Sequence, residues 1–280
     1  MIYNEIPEIS VVLRFRDAIT STLVGPQHPM VVVCPERQDI PTHMITYFLV
    51  GAYEILSENR TTEEILMMLG NAVSKDTILG RETDIRSIED GLGALGQATS
   101  LQWLGPDHIE PKFDIEMHAH YSSPANGNIH TIVPGKLVLL PTPADLPNDR
   151  SWIDVCEPDR PTERRFSAAY LADLLDDFDV SAVVCLGECS GESAAAFSER
   201  GLDVHDLRLD PSCPALLGAM DRLLALTRAA PGAVAVFPGL AGGGAGLMGT
   251  LAAACLTRDY GFGAGAAGAW LRMVCPALPG

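Results

Sequence analysis

The sequence has no run of eighteen uncharged apolar residues, which a membrane-spanning helix would need. Its beginning, MIYNEIPEIS, also lacks the basic stretch that opens a secretory signal. No C-x-x-C pair occurs among the seven cysteines, so neither a zinc site nor a disulfide framework is predicted. We therefore expect an intracellular, cytoplasmic protein without a metal or another cofactor, whose cysteines are small buried hydrophobic residues in a reducing compartment.

Basic residues are scarce as well. Lysines and arginines number 19 against 36 aspartates and glutamates, so the formal net charge is −17. Nucleic acids and anionic membranes both require basic patches, and neither is an expected partner. We expect protein partners with a basic surface instead. With 280 residues, 47% of them hydrophobic, the chain is long enough for one large domain or two modest ones.

Short apolar runs alternate with helical patterns in the second half of the chain, which predicts an α/β fold with a mostly parallel sheet. In the first half, Pro29–Cys34 has the composition of a buried strand, whereas Ile9–Leu23 has helical spacing. Gly51 falls inside another predicted helix and indicates close packing of a neighbouring element. Pro141–Pro161 is rich in proline and aspartate and predicts a linker.

A glycine-rich stretch separates the predicted strand Val234–Phe237 from a helix predicted to begin at Leu251. A strand, a glycine loop and a helix start can form a concave row of N–H groups that cradles an anion. Between Phe237 and Thr250, however, there is no Cys, Ser, His, Lys, Arg, Asp or Glu. The predicted loop thus has the form of a phosphate site without its reactive side chains. The candidate cradle residues are Gly242, Gly243, Gly244 and Gly246.

The same stretch matches a dinucleotide-binding pattern, since Gly244–Gly249 reads G-x-G-x-x-G. That function requires a second parallel strand after the helix, with an acidic residue near its end. Here the helix is followed by Gly261–Gly268 and a second helical run, Ala269–Val274.

Two further groups of residues suggest chemistry. His118 and His120, together with Glu116, could be metal ligands if the segment were a strand, since alternate residues of a strand share a face. No distant third ligand is evident, and a solvated segment is the expected alternative. Four aspartates at positions 173, 176, 177 and 179 form a charge run that is typical of a solvated face.

Several separated segments stand in the order of one known family. In the second half these are Gly249–Leu256, Tyr260–Phe262 and Ala269–Arg272; in the first half they are Tyr47–Tyr53, Thr61–Glu64 and Ile132–Lys136. They resemble the dual-specificity phosphatases of the mitotic-exit type, the cell-division-cycle fourteen family. Its motifs are a strand leading into H-C-x5-R-T-G-T, a helix ending in tyrosine, A-W-[IL]-R, A-F-L-I-G-A-Y, T-P-E-E and W-I-V-P-G-K.

The resemblance implies two tandem phosphatase-like lobes, each a mostly parallel sheet flanked by helices. Residues 1–145 would form an N-terminal domain without an active site, residues 146–165 a linker, and residues 166–280 a degenerate phosphatase domain. In the family a cysteine thiolate attacks phosphorus, the loop N–H groups and an arginine hold the phosphoryl oxygens, and an aspartate protonates the leaving oxygen.

The resemblance also identifies what this sequence has lost. Aligned from the helix side, the family's arginine falls on Leu247 and its cysteine on Ala241; aligned from the strand side, the cysteine falls on Pro238. Asp210 resembles the family's general acid, although a loop or cap aspartate is the simpler interpretation. The thiol and the guanidinium are missing in either alignment.

These observations predict a pseudophosphatase, an inactive homologue that acts as a scaffold in a larger assembly. By analogy with the family, the cytoskeleton or a cilium is a candidate address. Two alternatives stay open: a phosphopeptide- or anion-binding module that uses the glycine loop, and an active enzyme, either a protein phosphatase or a nucleotide-dependent one.

Overall fold

The fold is taken from a computed structural model that describes residues 6–24, 30–37, 39–73, 82–105, 111–147, 150–156, 163–207, 213–239 and 244–276. The chain divides into two compact units. The first comprises Met1–Phe113 and Leu256–Ala277, and the second is centred on Asp114–Cys255. The predicted domain boundaries and the linker stay a prediction.

The first unit is helical in its described residues. Its helices are α1 (Ile9–Leu23), α2 (Ile40–Leu56), α3 (Thr62–Val73), α4 (Glu82–Ser100) and α10 (Ala264–Val274). Helix α4 lies at the centre of this arrangement, because it contacts α2, α3 and α10. The strand predicted over Pro29–Cys34 is wrong for Met30–Cys34, which lies outside every helix and strand and is largely exposed.

The start of α3 shows how the sequence specifies a helix end. The Thr61 hydroxyl accepts the Glu64 N–H at 3.2 Å, and the Glu64 carboxylate accepts the Thr61 N–H at 3.0 Å. This reciprocal capping box satisfies two backbone donors that the first helical turn leaves unpaired. Glu63 and Glu64 also make the first turn acidic, which suits the positive end of the helix dipole.

Gly51 of α2 lies where two other helices approach. A Cβ atom on Gly51 would lie 3.0 Å from Ile65 Cγ2 and 3.0 Å from a Leu92 methyl carbon. The close packing predicted for this mid-helix glycine is therefore confirmed. The aromatic core of the same unit surrounds Trp270, whose ring centroid lies 5.6 Å from that of Trp103 and 5.8 Å from that of Phe113.

The second unit contains the sheet. Its strands are β1 (His130–Val133), β2 (Leu137–Leu139), β5 (Val180–Cys185), β6 (Asp203–Asp206) and β7 (Ala233–Phe237), in the order β1-β2-β7-β5-β6. Only β1 runs antiparallel to its neighbour; the pairs β2–β7, β7–β5 and β5–β6 are parallel. The predicted α/β fold with a mostly parallel sheet flanked by helices is confirmed.

Helices and a small ribbon complete this unit. The helices are α5 (Ile115–Tyr121), α6 (Ala168–Leu175), α7 (Gly191–Glu199), α8 (Cys213–Ala229) and α9, which runs over Gly244–Asp259 and passes into the first unit at its last turn. A separate antiparallel ribbon pairs β3 (Trp152–Val155) with β4 (Glu163–Phe166), and it overlaps the predicted linker. The core joins α6 and α7 to the sheet through Leu171, Leu175, Phe197 and Phe237.

Candidate functional site

The carboxyl ends of β2, β5, β6 and β7 meet at one edge of the sheet, because these four strands are parallel. In open α/β sheets this edge is where ligands bind. The residues that follow β7 are Pro238 and Gly239, and those that follow β5 run from Leu186 to Ser190. The candidate site is therefore built from these two connections and from the start of α9.

Helix α9 begins at Gly244, seven residues before the predicted start at Leu251. The connection between β7 and α9 is therefore shorter than predicted. Met248, Leu251 and Ala252 are all buried. Their burial offsets the low helix propensity of the glycines around them, because packing of an apolar face contributes more to helix stability than propensity does.

The connections after β7 and β5 are in direct contact. Gly239 has a φ of +81°, and a Cβ atom there would lie 2.9 Å from Gly187 Cα and 3.0 Å from Cys185 Sγ. The Leu186 N–H donates to the Phe237 carbonyl at 3.0 Å, and the Thr142 hydroxyl donates to the Gly239 carbonyl at 3.2 Å. Gly239 is thus required both by its backbone conformation and by the lack of space.

Two thiols, those of Cys185 and Cys189, lie near each other at this edge, and the Cys189 thiol donates to the Ser190 carbonyl at 3.5 Å. Cys185 is fully buried and Cys189 is half-buried. Burial, with smaller contributions from the nearby Cys189 and Asp206, raises the pKa of Cys185 to about 11, although a backbone hydrogen bond from Gly187 acts in the opposite direction. Burial also raises the pKa of Cys189, with added contributions from the carboxylates of Asp206 and Asp145. Both thiols are therefore protonated at neutral pH, and a protonated thiol is a poor nucleophile.

Ser190 closes the connection by capping α7. Its hydroxyl oxygen accepts the Ser193 N–H at 3.1 Å, and it lies 3.0 Å from both Asp145 Oδ1 and Ser193 Oγ. The hydroxyl of Ser190 is thus engaged in the cap, a structural role that a serine in this position commonly has. No local sequence pattern predicts this cluster, because Asp145 lies 45 residues before Ser190 in the chain.

The predicted site residues are only partly among the described ones. Pro238 is half-buried directly after β7, and Leu247 is half-buried in α9. Gly244 and Gly246 lie in the first turn of α9, where Gly246 is exposed. Ala241, Gly242, Gly243 and Asp210 lie outside the described residues. The assignment of these positions as degenerate catalytic or anion-binding residues stays a prediction.

The described charged groups at this edge do not favour an anion. Among the described residues, those that act on the two thiols are the carboxylates of Asp145 and Asp206. A phosphoryl dianion needs fixed cations or a full set of N–H donors aimed at its oxygens. Carboxylates beside the thiols repel a dianion and also disfavour a thiolate.

The interpretation of His118 and His120 as metal ligands required the segment to be a strand, and that prediction is wrong. The segment is helix α5, capped by Asp114, whose side chain accepts the Met117 N–H at 2.8 Å. His118 is buried with its ring 6.2 Å from that of His130, whereas His120 and Glu116 are exposed. Across the described ranges, no group of three or more His, Cys, Asp or Glu side chains has the arrangement of a metal site.

The dinucleotide alternative required a parallel strand after α9. The chain continues instead into α10, which packs against α4. Within the described residues 260–276 no strand follows α9, so the second strand that the dinucleotide pattern requires is not found there. None of the described helices is both long and apolar enough to cross a membrane.

The known proteins to which this chain is similar in sequence are phosphatases. The chain is 28% identical over 235 residues to the dual specificity protein phosphatase CDC14AB of Danio rerio, and 27% identical over 236 residues to CDC14A of Homo sapiens. It is 25% identical over 238 residues to the tyrosine-protein phosphatase cdc-14 of Caenorhabditis elegans. These alignments cover 81–82% of this chain and 31–36% of the relatives, so the chain spans about a third of their length.

No family model matches the chain. Among solved structures, Tk-PTP in its active form is similar with a TM-score of 0.35 and 22% identity, covering 53% of this chain and 84% of that one. The sequence similarities support a relationship to the phosphatase family.

Proposed function

We propose that this protein is a pseudophosphatase, a relative of the dual-specificity phosphatases that acts by binding other proteins instead of removing phosphate. The observation that carries the proposal is the composition of Phe237–Thr250, which contains no cysteine, serine, histidine, lysine, arginine, aspartate or glutamate. Loss of a single oxyanion-binding donor costs roughly 3 kcal/mol of transition-state stabilisation in well-studied enzymes. Here both the nucleophile and the arginine are missing.

The thiols of Cys185 and Cys189 do not replace the missing nucleophile. Cys185 is the last residue of β5 and Cys189 lies in the connection that follows it. Burial raises the pKa of each thiol. A catalytic cysteine needs a lowered pKa, which cationic neighbours or a helix N-terminus normally supply. The carboxylates of Asp145 and Asp206 have the opposite effect, which supports a structural role for both cysteines.

The proposal extends to partners and location. The net charge of −17 favours a protein partner with a basic surface inside the cell. By resemblance, a microtubule-based assembly such as a cilium is a candidate address. Because tubulin is itself acidic, we expect docking through an adaptor rather than directly on the microtubule. Imaging of the tagged chain alongside a ciliary marker tests this part.

Calorimetric titration with orthovanadate, inorganic phosphate and sulfate tests the proposal against both alternatives. We expect no heat of binding with any of the three ions. Heat with all three would overturn the proposal in favour of an anion-binding module. Heat with orthovanadate alone, lost in Cys185→Ser or Cys189→Ser, would instead indicate a working thiol site and a phosphatase.

A further inference from the structure

The first unit exposes an apolar groove between α1, α2 and the segment that follows α1. The groove has a volume of about 260 Å³. Eight of its nine lining residues are apolar or aromatic, and the ninth is Glu54. The lining residues are Phe15, Ile19, Leu23, Met30, Val31, Val33, Val50, Tyr53 and Glu54. An exposed apolar surface of this kind commonly marks a binding site.

The segment Met30–Cys34 forms one wall of this groove. Its sequence, MVVVC, has the high β-propensity of a strand interior. Nevertheless it lies outside every helix and strand, and no hydrogen bond joins its backbone to another described residue. Met30 is 87% exposed and Val32 is 67% exposed. The segment thus has the composition of a strand, but none of the described residues pairs with it.

We propose that Met30–Cys34 pairs with a β-strand supplied by a basic protein partner, whose alternate apolar side chains enter the groove. Strand addition satisfies the backbone groups of the segment, and the groove then selects the side chains on one face of the added strand. The inference rests on the proposed function, because it names the docking surface and the chemistry of the partner that the scaffold would hold.

Charge determines the choice of partner. Glu54 lines the groove, and the Tyr53 hydroxyl lies 3.5 Å from the Glu58 carboxylate at the same end. The Arg60 Nε lies 2.9 Å from Glu54 Oε2, so its one positive charge offsets only one of the two negative charges of Glu54 and Glu58. The groove end is therefore acidic, in agreement with the net charge of −17. A strand carrying lysine or arginine suits this surface, whereas a second copy of the chain would meet strong repulsion.

Fluorescence anisotropy with labelled synthetic peptides tests the proposal on the full chain. The probe is an eight-residue peptide of alternating valine and lysine. One control has the same sequence with alternate backbone nitrogens methylated, which retains charge and apolar surface but removes strand pairing. A second control alternates valine with glutamate. We expect saturable binding of the first peptide and at least tenfold weaker binding of both controls.

Variants of the chain connect the binding to this surface. Val32→Pro removes a backbone N–H donor at an exposed position. We expect this substitution to weaken binding of the valine–lysine peptide at least tenfold. Glu58→Gln should weaken binding several-fold, whereas Glu163→Gln, an equal loss of charge in the second unit, should not. Circular dichroism of each variant checks that the helices are retained.

Three outcomes would overturn the proposal. Equal affinity for the methylated peptide would exclude strand pairing, and equal affinity for the valine–glutamate peptide would exclude the charge preference. A peptide-free dimer in light scattering that Val32→Pro dissociates would identify a second copy as the occupant. None of these outcomes bears on phosphate release or on binding of orthovanadate, so the proposed function can fail or stand independently.

Discussion

The Cys185 thiol packs against Gly239: a Cβ atom on Gly239 would lie 3.0 Å from Cys185 Sγ. This contact joins the buried thiol of β5 to the first residues of the glycine-rich stretch after β7. The space beside Gly239 is thus filled by a thiol and by backbone.

Substitution of Gly239 by alanine should destabilise the protein by about 2–4 kcal/mol, combining left-handed backbone strain with overpacking against Gly187 and Glu188. Urea unfolding followed by circular dichroism measures the loss. The matched control is Gly246→Ala, where a Cβ atom would meet nothing within 4 Å, and where the higher helix propensity should leave stability unchanged or raised by up to about 1 kcal/mol. Equal effects of the two substitutions would contradict the contact at Gly239.

The reactivity of the cysteines should follow exposure and pKa. Cys34 and Cys156 are exposed, whereas burial raises the pKa of both Cys185 and Cys189. Under limiting iodoacetamide at pH 7.5, we expect Cys34 and Cys156 to be alkylated first and Cys185 last, because only the thiolate reacts. Peptide mass spectrometry over time provides the order. As a control, prior unfolding in urea should make the alkylation rates of these cysteines similar. Faster alkylation of Cys185 or Cys189 than of Cys34 in the folded protein would indicate an activated thiol.

The hydrogen bond of Tyr121 should make the protein less stable at alkaline pH. Its hydroxyl donates to the Asp177 carboxylate, and this hydrogen bond, with burial, raises the pKa of Tyr121 to about 12. An unfolded tyrosine has a pKa of about 10, so the folded state holds the proton more tightly. The stabilisation is therefore fully present below pH 10 and is lost as the pH rises from 10 to 12.

The measurement compares the protein with Tyr121→Phe by urea unfolding at pH 9 and pH 11. We expect the free energy of unfolding of the unmodified protein to fall more between these two values than that of the variant. Parallel curves for the two proteins would show that the phenol does not titrate with a raised pKa. Asp177→Asn is the control that keeps a hydrogen-bond acceptor and removes its charge.

Gly51 should be intolerant of even one added methyl group. A Cβ atom there would press on Ile65 and on Leu92, which are both buried. We expect Gly51→Ala to destabilise the first unit by about 1–3 kcal/mol, because overpacking outweighs the gain in helix propensity. Gly70→Ala in α3, where a Cβ atom would meet nothing within 4 Å, should instead be neutral or stabilising. Thermal unfolding of the two variants tests this difference.

Local patterns predicted much of the fold. The bounds of α1 agree with the helical spacing of Ile9–Leu23, and the capping box at Thr61 marks the beginning of α3 within one residue. The strands around the site were also evident, because β5 and β7 are short apolar runs bounded by turn residues. These features depend on residues close together in the sequence.

Other features depend on packing that the sequence does not reveal. The glycines of Gly244–Thr250 suggested a loop, but burial of Met248 makes that stretch helical. At α5 a signal was present and overlooked, namely the Asp114 cap. The contact between Cys185 and Gly239 follows from β5 and β7 being neighbours, and strand order is not encoded in local composition.

Release of inorganic phosphate tests the central claim most directly. The purified chain is incubated with p-nitrophenyl phosphate and with phosphotyrosine and phosphoserine peptides, beside a Cys185→Ser/Cys189→Ser double variant and an Asp210→Ala variant. We predict that the unmodified chain releases no more phosphate than either variant, because Phe237–Thr250 contains neither a cysteine to attack phosphorus nor an arginine to hold the phosphoryl oxygens. Turnover by the unmodified chain that either variant abolishes would contradict the assignment as a pseudophosphatase.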